Sequence, residues 1–506
     1  MSERDILVEN DELAVNYGAG PSQGFKGDER EPLLREMEES KIGISHQTLV
    51  SNVAEAAKFP QYFAALVATL GGFISGNCLG WTSPTNGPLI KDKEYGFPIN
   101  DDEFSWISSI MAVGALVSGP MVGWLVDKVG RKNTMLILVF PAVIGWAFMV
   151  WAESVSMFCI GRFVSGLAGG GYTIVVPLYT NEYSETKIRG TLGTYFQLML
   201  NGGILFTYVF GSIVNVFWLT VLCAIVPIVY GAAMLFLPES PIYYLKTKRV
   251  EEARQSLQWF RGRGYDVEPE LAIMQKNIEI MESEKVTILE GFSTTAAKKA
   301  LVIGIGVMVF QQLSGINSVI FYTTSIFSSA GASLNPSIQT IIVGIVAVVV
   351  TYISTLIIDR MGRRPLLLIS DFFMAICTFF LGLYFFLQTN TSFDVTTISW
   401  LPILSVCVYL VMFSIGFGPI PWMFVSEVFP RKIAGYACSL CCMVNWLGVF
   451  LVTKFFSDIN AAIGTYASFW LFTIISGIGT AFVYFLVPET KGKTVEEVQV
   501  LLSGGK

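Results

Sequence analysis

Long apolar segments alternate with short polar ones along most of the chain. Twelve of these segments have the length, about 17 to 25 residues, that crosses a bilayer as an α-helix. They are 61–83, 104–126, 134–152, 157–179, 191–213, 217–237, 300–324, 338–358, 365–388, 400–424, 434–456 and 466–487. The pattern therefore predicts an all-α membrane protein with twelve transmembrane helices.

Charged residues concentrate in two stretches outside the predicted spans, 1–58 and 239–299. The first is polar and acidic, which is typical of a disordered tail. The second alternates acidic, basic and apolar positions at helical spacing, which predicts short amphipathic helices. The predicted regions are the tail 1–58, an N-terminal six-helix bundle 59–238, a helical connector 239–299, a C-terminal six-helix bundle 300–488 and a C-terminal tail 489–506.

The composition excludes several classes of protein. Hydrophobic residues make up 53% and charged residues only 14%, whereas a soluble globular chain has about a quarter charged. A net charge of −6 without a strongly basic segment gives no basis for nucleic-acid binding. The one histidine, His46, lies in the tail, and adjacent Cys441 and Cys442 lack the CxxC spacing of a metal site. We therefore predict no metal, no cofactor and no enzymatic activity.

The basic residues predict the orientation of the chain. Loops on the side of the N-terminus carry many Lys and Arg residues, whereas the opposite loops and their flanks have only Lys91, Lys93, Arg162 and Lys454. Because basic loops stay in the cytoplasm, both termini are predicted to be cytoplasmic. The sequence Asn390-Thr391-Ser392 then falls outside the cell, which predicts N-glycosylation at Asn390.

The two halves of the chain repeat the same charges at the same spans. The charged residues that follow the second, fourth and sixth spans recur after the eighth, tenth and twelfth. The corresponding pairs are Asp127 and Asp359, Arg131 and Arg363, Glu182 and Glu427, and Glu239 and Glu489. Parallel repeats of this kind predict two bundles that rock about a site between them.

The repeated charges also predict a cytoplasmic latch. Acidic and basic side chains at neighbouring helix ends can pair across the bundles in one conformation and separate in the other. The alternative is that these charges only fix the topology. The predicted latch residues are Asp127, Arg131, Glu182, Arg189, Glu239, Asp359, Arg363, Glu427, Arg431 and Glu489.

Seven motifs, in order and at the expected spans, carry a family resemblance. They are Gly161-Arg162, Pro177-x-Tyr179-x-x-Glu182, Arg189-Gly190-x-x-Gly193, Pro238-Glu239-Ser240-Pro241, Gln311-Gln312-Leu313-Ser314-Gly315-Ile316-Asn317, Gly418-Pro419-Ile420-Pro421-Trp422 and Pro488-Glu489-Thr490-Lys491-Gly492. With them the chain resembles the sugar transporter family of the major facilitator superfamily over 59–498. Gly80-Trp81-Thr82-Ser83-Pro84 and the connector sequence 258–271 add a narrower resemblance to insect facilitated trehalose transporters and class III glucose transporters.

The resemblance implies a sugar site between the bundles. Sugar hydroxyls donate and accept hydrogen bonds, so uncharged amides beside an aromatic ring suit them. Pro419 and Pro421 should break the tenth span, so that its freed carbonyls and the Trp422 indole face the cavity. The implied sugar contacts are Gln197, Gln311, Gln312, Asn317, Trp422 and Asn445, with Tyr322 closing the outer gate. Alternatively the amides only hold helices together.

The first span suggests how transport is driven. Residues 59–90 contain no Asp, Glu, Lys, Arg or His, whereas proton-coupled relatives use a carboxylate in this span. We therefore predict facilitated diffusion, with proton-coupled symport and a non-transporting sugar sensor as alternatives. Asp371 in the ninth span is expected to pair with Arg363 or Arg364 rather than to lie in a proton path.

Two further predictions concern the sugar and the destination of the protein. The best-known glucose carriers have polar side chains where this chain has Ala347, Ser414 and Val449, which keeps both glucose and trehalose as candidate substrates. The sequence from Glu29 to Leu33-Leu34 resembles an acidic dileucine signal. It predicts a clathrin adaptor as partner and cycling between the plasma membrane and endosomes or lysosomes, unless it is a chance motif.

Overall fold

Helices dominate the structure, a computed structural model that describes residues 56–185, 187–283, 293–331, 334–430, 433–493 and 495–503. The predicted sorting residues Glu29, Leu33 and Leu34 lie outside the described residues, as does Arg431. The side chain of Asp359 also lies outside the described part.

Six membrane-length helical segments form the N-terminal bundle. They are α1 (Lys58–Gly80) continued by α2 (Thr82–Ile90), α3 (Asp101–Val129), α4 (Arg131–Val150), α5 (Val155–Tyr183), α6 (Arg189–Gly211) and α7 (Val216–Met234). Asn100 begins α3 with a capping box, in which its side chain and that of Glu103 each accept the other's backbone N–H. Gly130, with φ of 95°, ends α3 and turns the chain directly into α4.

The C-terminal bundle repeats this arrangement, with two of its six spans interrupted. Its helices are α11 (Thr295–Leu313) continued by α12 (Ile316–Ala330), α13 (Pro336–Met361), α14 (Arg363–Asn390), α15 (Leu401–Ile415) continued by α16 (Ile420–Val428), α17 (Ala434–Ile463) and α18 (Thr465–Leu486). Gly362, with φ of 91°, makes the turn that Gly130 makes in the first bundle. The all-α fold with two six-helix bundles is as predicted.

Three helices lie between the bundles along the chain and one follows the last span. They are α8 (Pro241–Lys246), α9 (Val250–Arg261), α10 (Glu268–Ser283) and α19 (Val495–Ser503). On α9 the apolar side chains of Leu257 and Phe260 are buried, and Phe260 stacks on Tyr183 of α5 with ring centroids 4.3 Å apart. The connector therefore contains amphipathic helices, as predicted, and one of them packs beneath the N-terminal bundle.

Eleven helical segments of the described residues are long and apolar enough to cross a membrane. The predicted fifth span, α6, is not among them, although its 23 residues reach about 35 Å at 1.5 Å per residue. Polar residues such as Thr194, Gln197 and Asn201 lower its hydropathy. Because α6 packs on α1 in its own bundle and on α13 in the other, it needs little lipid-facing surface. It is the twelfth helix of the fold.

The two bundles contact each other mainly through α3 with α17, α6 with α13 and α2 with α12. We name the bundle ends that carry Gly130 and Gly362 the connector face and the other ends, with Asn100 and Asn390, the opposite face. Between α6 and α13, Asn201 Nδ2 donates to Thr351 Oγ1 at 2.6 Å. This bond satisfies two polar groups that are buried between the bundles.

Close packing inside the N-terminal bundle generates a test of the fold. A Cβ at Gly114 of α3 would overlap the carbonyl oxygen of Phe163 in α5, whereas one at Gly123 would meet nothing within 4 Å. We expect Gly114→Val to destabilise the protein by about 2 kcal/mol through overpacking, measured by thermal unfolding in detergent micelles. Gly123→Val on the same helix is the matched control, and equal effects would contradict this packing.

Candidate functional site

Four amide side chains converge where the seventh span is interrupted. Gln311 and Gln312 lie in the last turn of α11, and Gly315, with φ of 91°, interrupts the span before α12 continues it. Asn317 in the first turn of α12 therefore lies beside them, and its Nδ2 donates to Gln312 Oε1. The interruption at Gly315 thus brings these three predicted residues together.

Asn445 of α17 joins this cluster from the eleventh span. Its Nδ2 donates to Gln311 Oε1 at 2.6 Å, and its Oδ1 accepts from Gln312 Nε2 at 3.1 Å. All four amides are buried, and each bonds at least one other. We call Gln311, Gln312, Asn317 and Asn445 the amide network. Because an amide both donates and accepts, a sugar hydroxyl could replace any of these bonds.

The tenth span is interrupted between α15 and α16, as its prolines predicted. The carbonyls of Phe417 and Gly418 both accept from Gln311 Nε2, at 2.6 and 3.0 Å. They are therefore not free of partners, and their exposure to the cavity stays a prediction. Unbonded carbonyls are costly in an apolar bundle, and the amide of Gln311 supplies the donor for both.

Two predicted contacts lie apart from the amide network. Gln197 of α6 is half-buried, and its amide bonds to no other described residue. Trp422 of α16 is 40% exposed, and its indole N–H likewise has no partner among the described residues. Their polar groups are thus available to a ligand, but the structure does not bring them into contact with the four amides.

Tyr322 lies on α12 towards the opposite face and bridges the two bundles. It is only 6% exposed, with φ of −119° and ψ of 16° that locally kink the helix. Its hydroxyl donates to the Thr453 carbonyl of α17 at 3.3 Å. Its ring packs on Phe104 of α3 and Phe456 of α17, with centroids 6.4 and 5.2 Å away. These contacts join α3, α12 and α17 across the two bundles, and closure of an outer gate by Tyr322 stays a prediction.

The repeated charges form two similar networks at the connector face. In the N-terminal bundle Arg131 Nη2 lies 2.6 Å from Glu182 Oε1. Glu239 accepts the backbone N–H groups of Arg131 and Lys132 at 2.9 and 3.0 Å. Ser240 Oγ completes the network by donating to the second oxygen of Glu182.

The C-terminal bundle repeats this network in detail. Arg363 Nη2 lies 2.9 Å from Glu427 Oε1, and Glu489 accepts the backbone N–H groups of Arg363 and Arg364, each at 3.0 Å. Thr490 takes the place of Ser240 and donates to Glu427. The charges that recur in the sequence thus occupy equivalent positions in space.

Each network lies within a single bundle. Arg189, another predicted latch residue, donates to the Ser184 carbonyl of its own bundle, and Asp127 forms no ion pair with a described residue. Among the described residues no ion pair joins the bundles at the connector face. The contacts that do join them lie at the opposite face and at mid-depth, so pairing across the connector face stays a prediction for another conformation.

Burial distinguishes the two equivalent glutamates. Burial raises the pKa of Glu239 above its ordinary value, although four backbone N–H groups oppose the rise. Glu489 is less deeply buried; burial alone would raise its pKa, but the N–H groups of Lys491, Arg363, Arg364 and Thr490 outweigh it and hold the pKa low. Glu239 therefore takes up a proton at a higher pH than Glu489.

Arg162, which the sequence placed at the flank of a loop, is a further functional candidate. It is fully buried in α5, and its guanidinium donates to the carbonyls of Cys78, Ile107 and Ser108 at 2.6, 3.1 and 3.3 Å. The Trp81 ring lies 5.5 Å away. Arg162 thus ties α1, α3 and α5 together without a described acid as partner. An arginine inside an apolar span was the signal for this role.

The prediction that Asp371 pairs with Arg363 or Arg364 is wrong. Arg363 binds Glu427, and Arg364 donates to the Tyr484 carbonyl. Asp371 is fully buried, and neither carboxylate oxygen has a hydrogen-bond partner among the described residues. It faces α18 at Gly479, where any side chain would overlap its oxygen. Eight residues along α14 carry it about 12 Å away from Arg363, too far for pairing.

The chain matches a protein-family profile and several named relatives over most of its length. The profile described as "Sugar (and other) transporter" matches residues 64–502. The facilitated trehalose transporter Tret1 of Culex quinquefasciatus is 40% identical over 448 residues, covering 88% of this chain and 86% of that protein. Tret1 of Polypedilum vanderplanki is 39% identical over 447 residues, 88% of each. Tret1 of Aedes aegypti is 40% identical over 445 residues, 88% of this chain, but the match spans only 55% of that longer protein.

Solved structures support the fold. The proton:xylose symporter XylE bound to 6-bromo-6-deoxy-D-glucose matches with a TM-score of 0.71 at 24% identity, over 87% of this chain and 99% of that one. An inward-open structure of the xylose transporter XylE from E. coli gives a TM-score of 0.73 at 23% identity, with the same coverage. Both have the major facilitator fold, and the two-bundle architecture is therefore shared.

The two charge networks generate a prediction about stability. The Arg131–Glu182 side chains are 2% and 8% exposed, whereas those of Arg363 and Glu427 are 13% and 28% exposed. Glu182→Gln should destabilise the protein by about 3 kcal/mol, because it leaves a buried cation without its acid. Glu427→Gln should cost about 1 kcal/mol. Thermal unfolding in detergent measures both, and equal losses would contradict the difference in burial.

Proposed function

The chain belongs to the sugar transporter family, and from that premise we propose that it is a facilitative transporter of glucose-type hexoses or trehalose. The amide network is the observation that carries this proposal. Its four buried side chains offer uncharged donors and acceptors in the C-terminal bundle, and relatives covered over most of their length are named facilitated trehalose transporters. We infer a plasma-membrane location with cytoplasmic termini and a glycosylated Asn390, an exposed residue at the end of α14.

The sugar enters the amide network by exchange of hydrogen bonds. Hydroxyls replace the amide–amide bonds among Gln311, Gln312 and Asn445, so binding leaves few buried polar groups unpaired. The half-exposed Trp422 offers an apolar ring face to sugar C–H groups. Gln197 offers an unbonded amide from the N-terminal bundle. Because the sugar contacts both bundles, its binding favours the conformation in which the bundles close around it.

Alternating access follows from where the bundles touch. Tyr322 and its ring contacts close the opposite face, so this conformation would release sugar towards the connector face, which we infer to be cytoplasmic. Rocking would separate Tyr322 from Phe104 while Arg131–Glu182 and Arg363–Glu427 keep each bundle end intact. Pairing between the two ends would then form the predicted cytoplasmic latch in the outward-open conformation.

Facilitated diffusion is favoured over symport by the surroundings of Arg162. Its three hydrogen bonds go to backbone carbonyls of the first and second spans, whose charge does not change with pH. Asp371 supports a proton-coupled alternative, because it is a carboxyl buried inside a span. It lies on α14, where the neighbouring Ser370 accepts the backbone N–H of Phe417.

We also propose that Glu29, Leu33 and Leu34 bind a clathrin adaptor. The double substitution Leu33→Ala with Leu34→Ala should then raise the amount of the protein at the cell surface.

Counterflow in proteoliposomes tests the proposed function. Vesicles preloaded with unlabelled glucose or trehalose should transiently accumulate the labelled sugar, which a sensor that only binds sugar cannot do. An imposed proton gradient should leave the rate unchanged. Acceleration that Asp371→Asn abolishes would establish symport instead, and absence of counterflow for both sugars would contradict the proposed substrates.

The amide network predicts the effect of a single substitution. Gln312→Ala removes the acceptor of Asn317 and the donor to Asn445. We expect KM for transport to rise roughly tenfold or more, because a sugar hydroxyl loses its hydrogen bond to the amide. A tenfold change corresponds to about 1.4 kcal/mol of binding free energy. Gln275→Ala, at an exposed glutamine of the connector, should leave KM unchanged. An unaltered KM for Gln312→Ala would remove this residue from the sugar site.

A further inference from the structure

An ion pair joins the two bundles at the opposite face, apart from the sugar site. Lys454 Nζ of α17 lies 2.7 Å from Asp102 Oδ1 in the first turn of α3. Lys454 is only 5% exposed, although the sequence suggested a charge at the edge of a loop. Its ammonium therefore lies between the bundles, where a charge needs a partner.

Lys454 has a second acid on its own helix. Asp458 Oδ2 lies 3.4 Å from its Nζ, and the ring of Trp106 on α3 lies 5.1 Å away. If α3 moves away, Lys454 loses Asp102 and Trp106 but keeps Asp458. The lysine is then never left without an acid, so the contact between the bundles is weak enough to break reversibly.

The ion pair lies next to the Tyr322 gate. Phe104, two residues after Asp102, packs on the Tyr322 ring from α3. Phe456, two residues after Lys454, packs on the same ring from α17. Separation of α3 from α17 at this level therefore breaks the ion pair and opens the gate in one movement.

We propose that Asp102 and Lys454 are gating residues whose ion pair holds the opposite face closed over Tyr322. The pair is a positioning device that acts through the gate and does not touch the sugar. The effect of the ion pair on transport rests on the proposed function, since the pair sets how often the sugar site opens to the opposite face. Removal of the Asp102 charge shifts the population towards the conformation that is open at the opposite face.

A cysteine reporter at Ser318 measures this opening without any sugar. Ser318 is fully buried on α12, one turn before Tyr322, and its hydroxyl has no described partner, so Ser318→Cys is conservative. A membrane-impermeant maleimide added outside intact cells should label it slowly. Thr397→Cys, at an exposed position of the short 3-10 helix Val395–Ile398 on the opposite face, should label fast and verifies the orientation. The protein without an introduced cysteine gives the background.

Asp102→Asn should raise the labelling rate of Ser318→Cys roughly three- to tenfold, the range expected for a partly buried pair. Asp458→Asn removes an acid from Lys454 within one bundle, and Asp101→Asn removes one from the same helix turn. Both should change the rate less than twofold. Asp102→Glu, which keeps the charge and guards against a folding defect, should label like the parent.

Two results would overturn the proposal. One is an unchanged labelling rate in Asp102→Asn protein that reaches the cell surface. The other is an equal increase with Asp458→Asn, since that would trace the effect to Lys454 alone rather than to the contact between bundles. Because labelling needs no substrate, either result is independent of whether counterflow of glucose or trehalose succeeds.

Discussion

Polar groups buried among apolar helices must find partners inside the chain, and the functional parts of this structure depend on that constraint. Breaking two spans in the C-terminal bundle frees backbone groups at Gly315 and at Phe417–Gly418. The side chain of Gln311 binds the freed carbonyls and also accepts from Asn445. One residue therefore stabilises an interrupted helix and anchors the site where hydroxyls could bind.

The sequence was sufficient to predict the fold because span length and loop charge are local properties. The repeat also located the equivalent pairs Arg131 with Glu182 and Arg363 with Glu427. It could not tell whether acids and bases pair within a bundle or between bundles, because that depends on which helix ends are neighbours in space. The hydropathy of α6 is lower than that of the other spans for a related reason: Asn201 bonds Thr351 of the other bundle and so faces protein rather than lipid.

Partner choice for single buried polar groups was the least predictable feature. Proline positions predicted the break before α16 but not that Gln311 would bind its carbonyls. Arg162 and Asp371 are both isolated charges in apolar spans, yet one is bound by three carbonyls and the other by no described group. The number of free acceptors near a side chain depends on tertiary packing, which spacing along the chain does not encode.

The two bundles use their polar groups differently, and this difference suits alternating access. In the N-terminal bundle the buried cations Arg131 and Arg162 each bind groups from more than one helix, which cross-links the bundle. The C-terminal bundle has the interrupted helices and a more exposed Arg363–Glu427 pair. A helix can bend where a side chain takes the place of a backbone partner in its hydrogen bonds. A cross-linked half that rocks against a half able to bend at Gly315 and Phe417 lets the site adjust around its ligand as the bundles move.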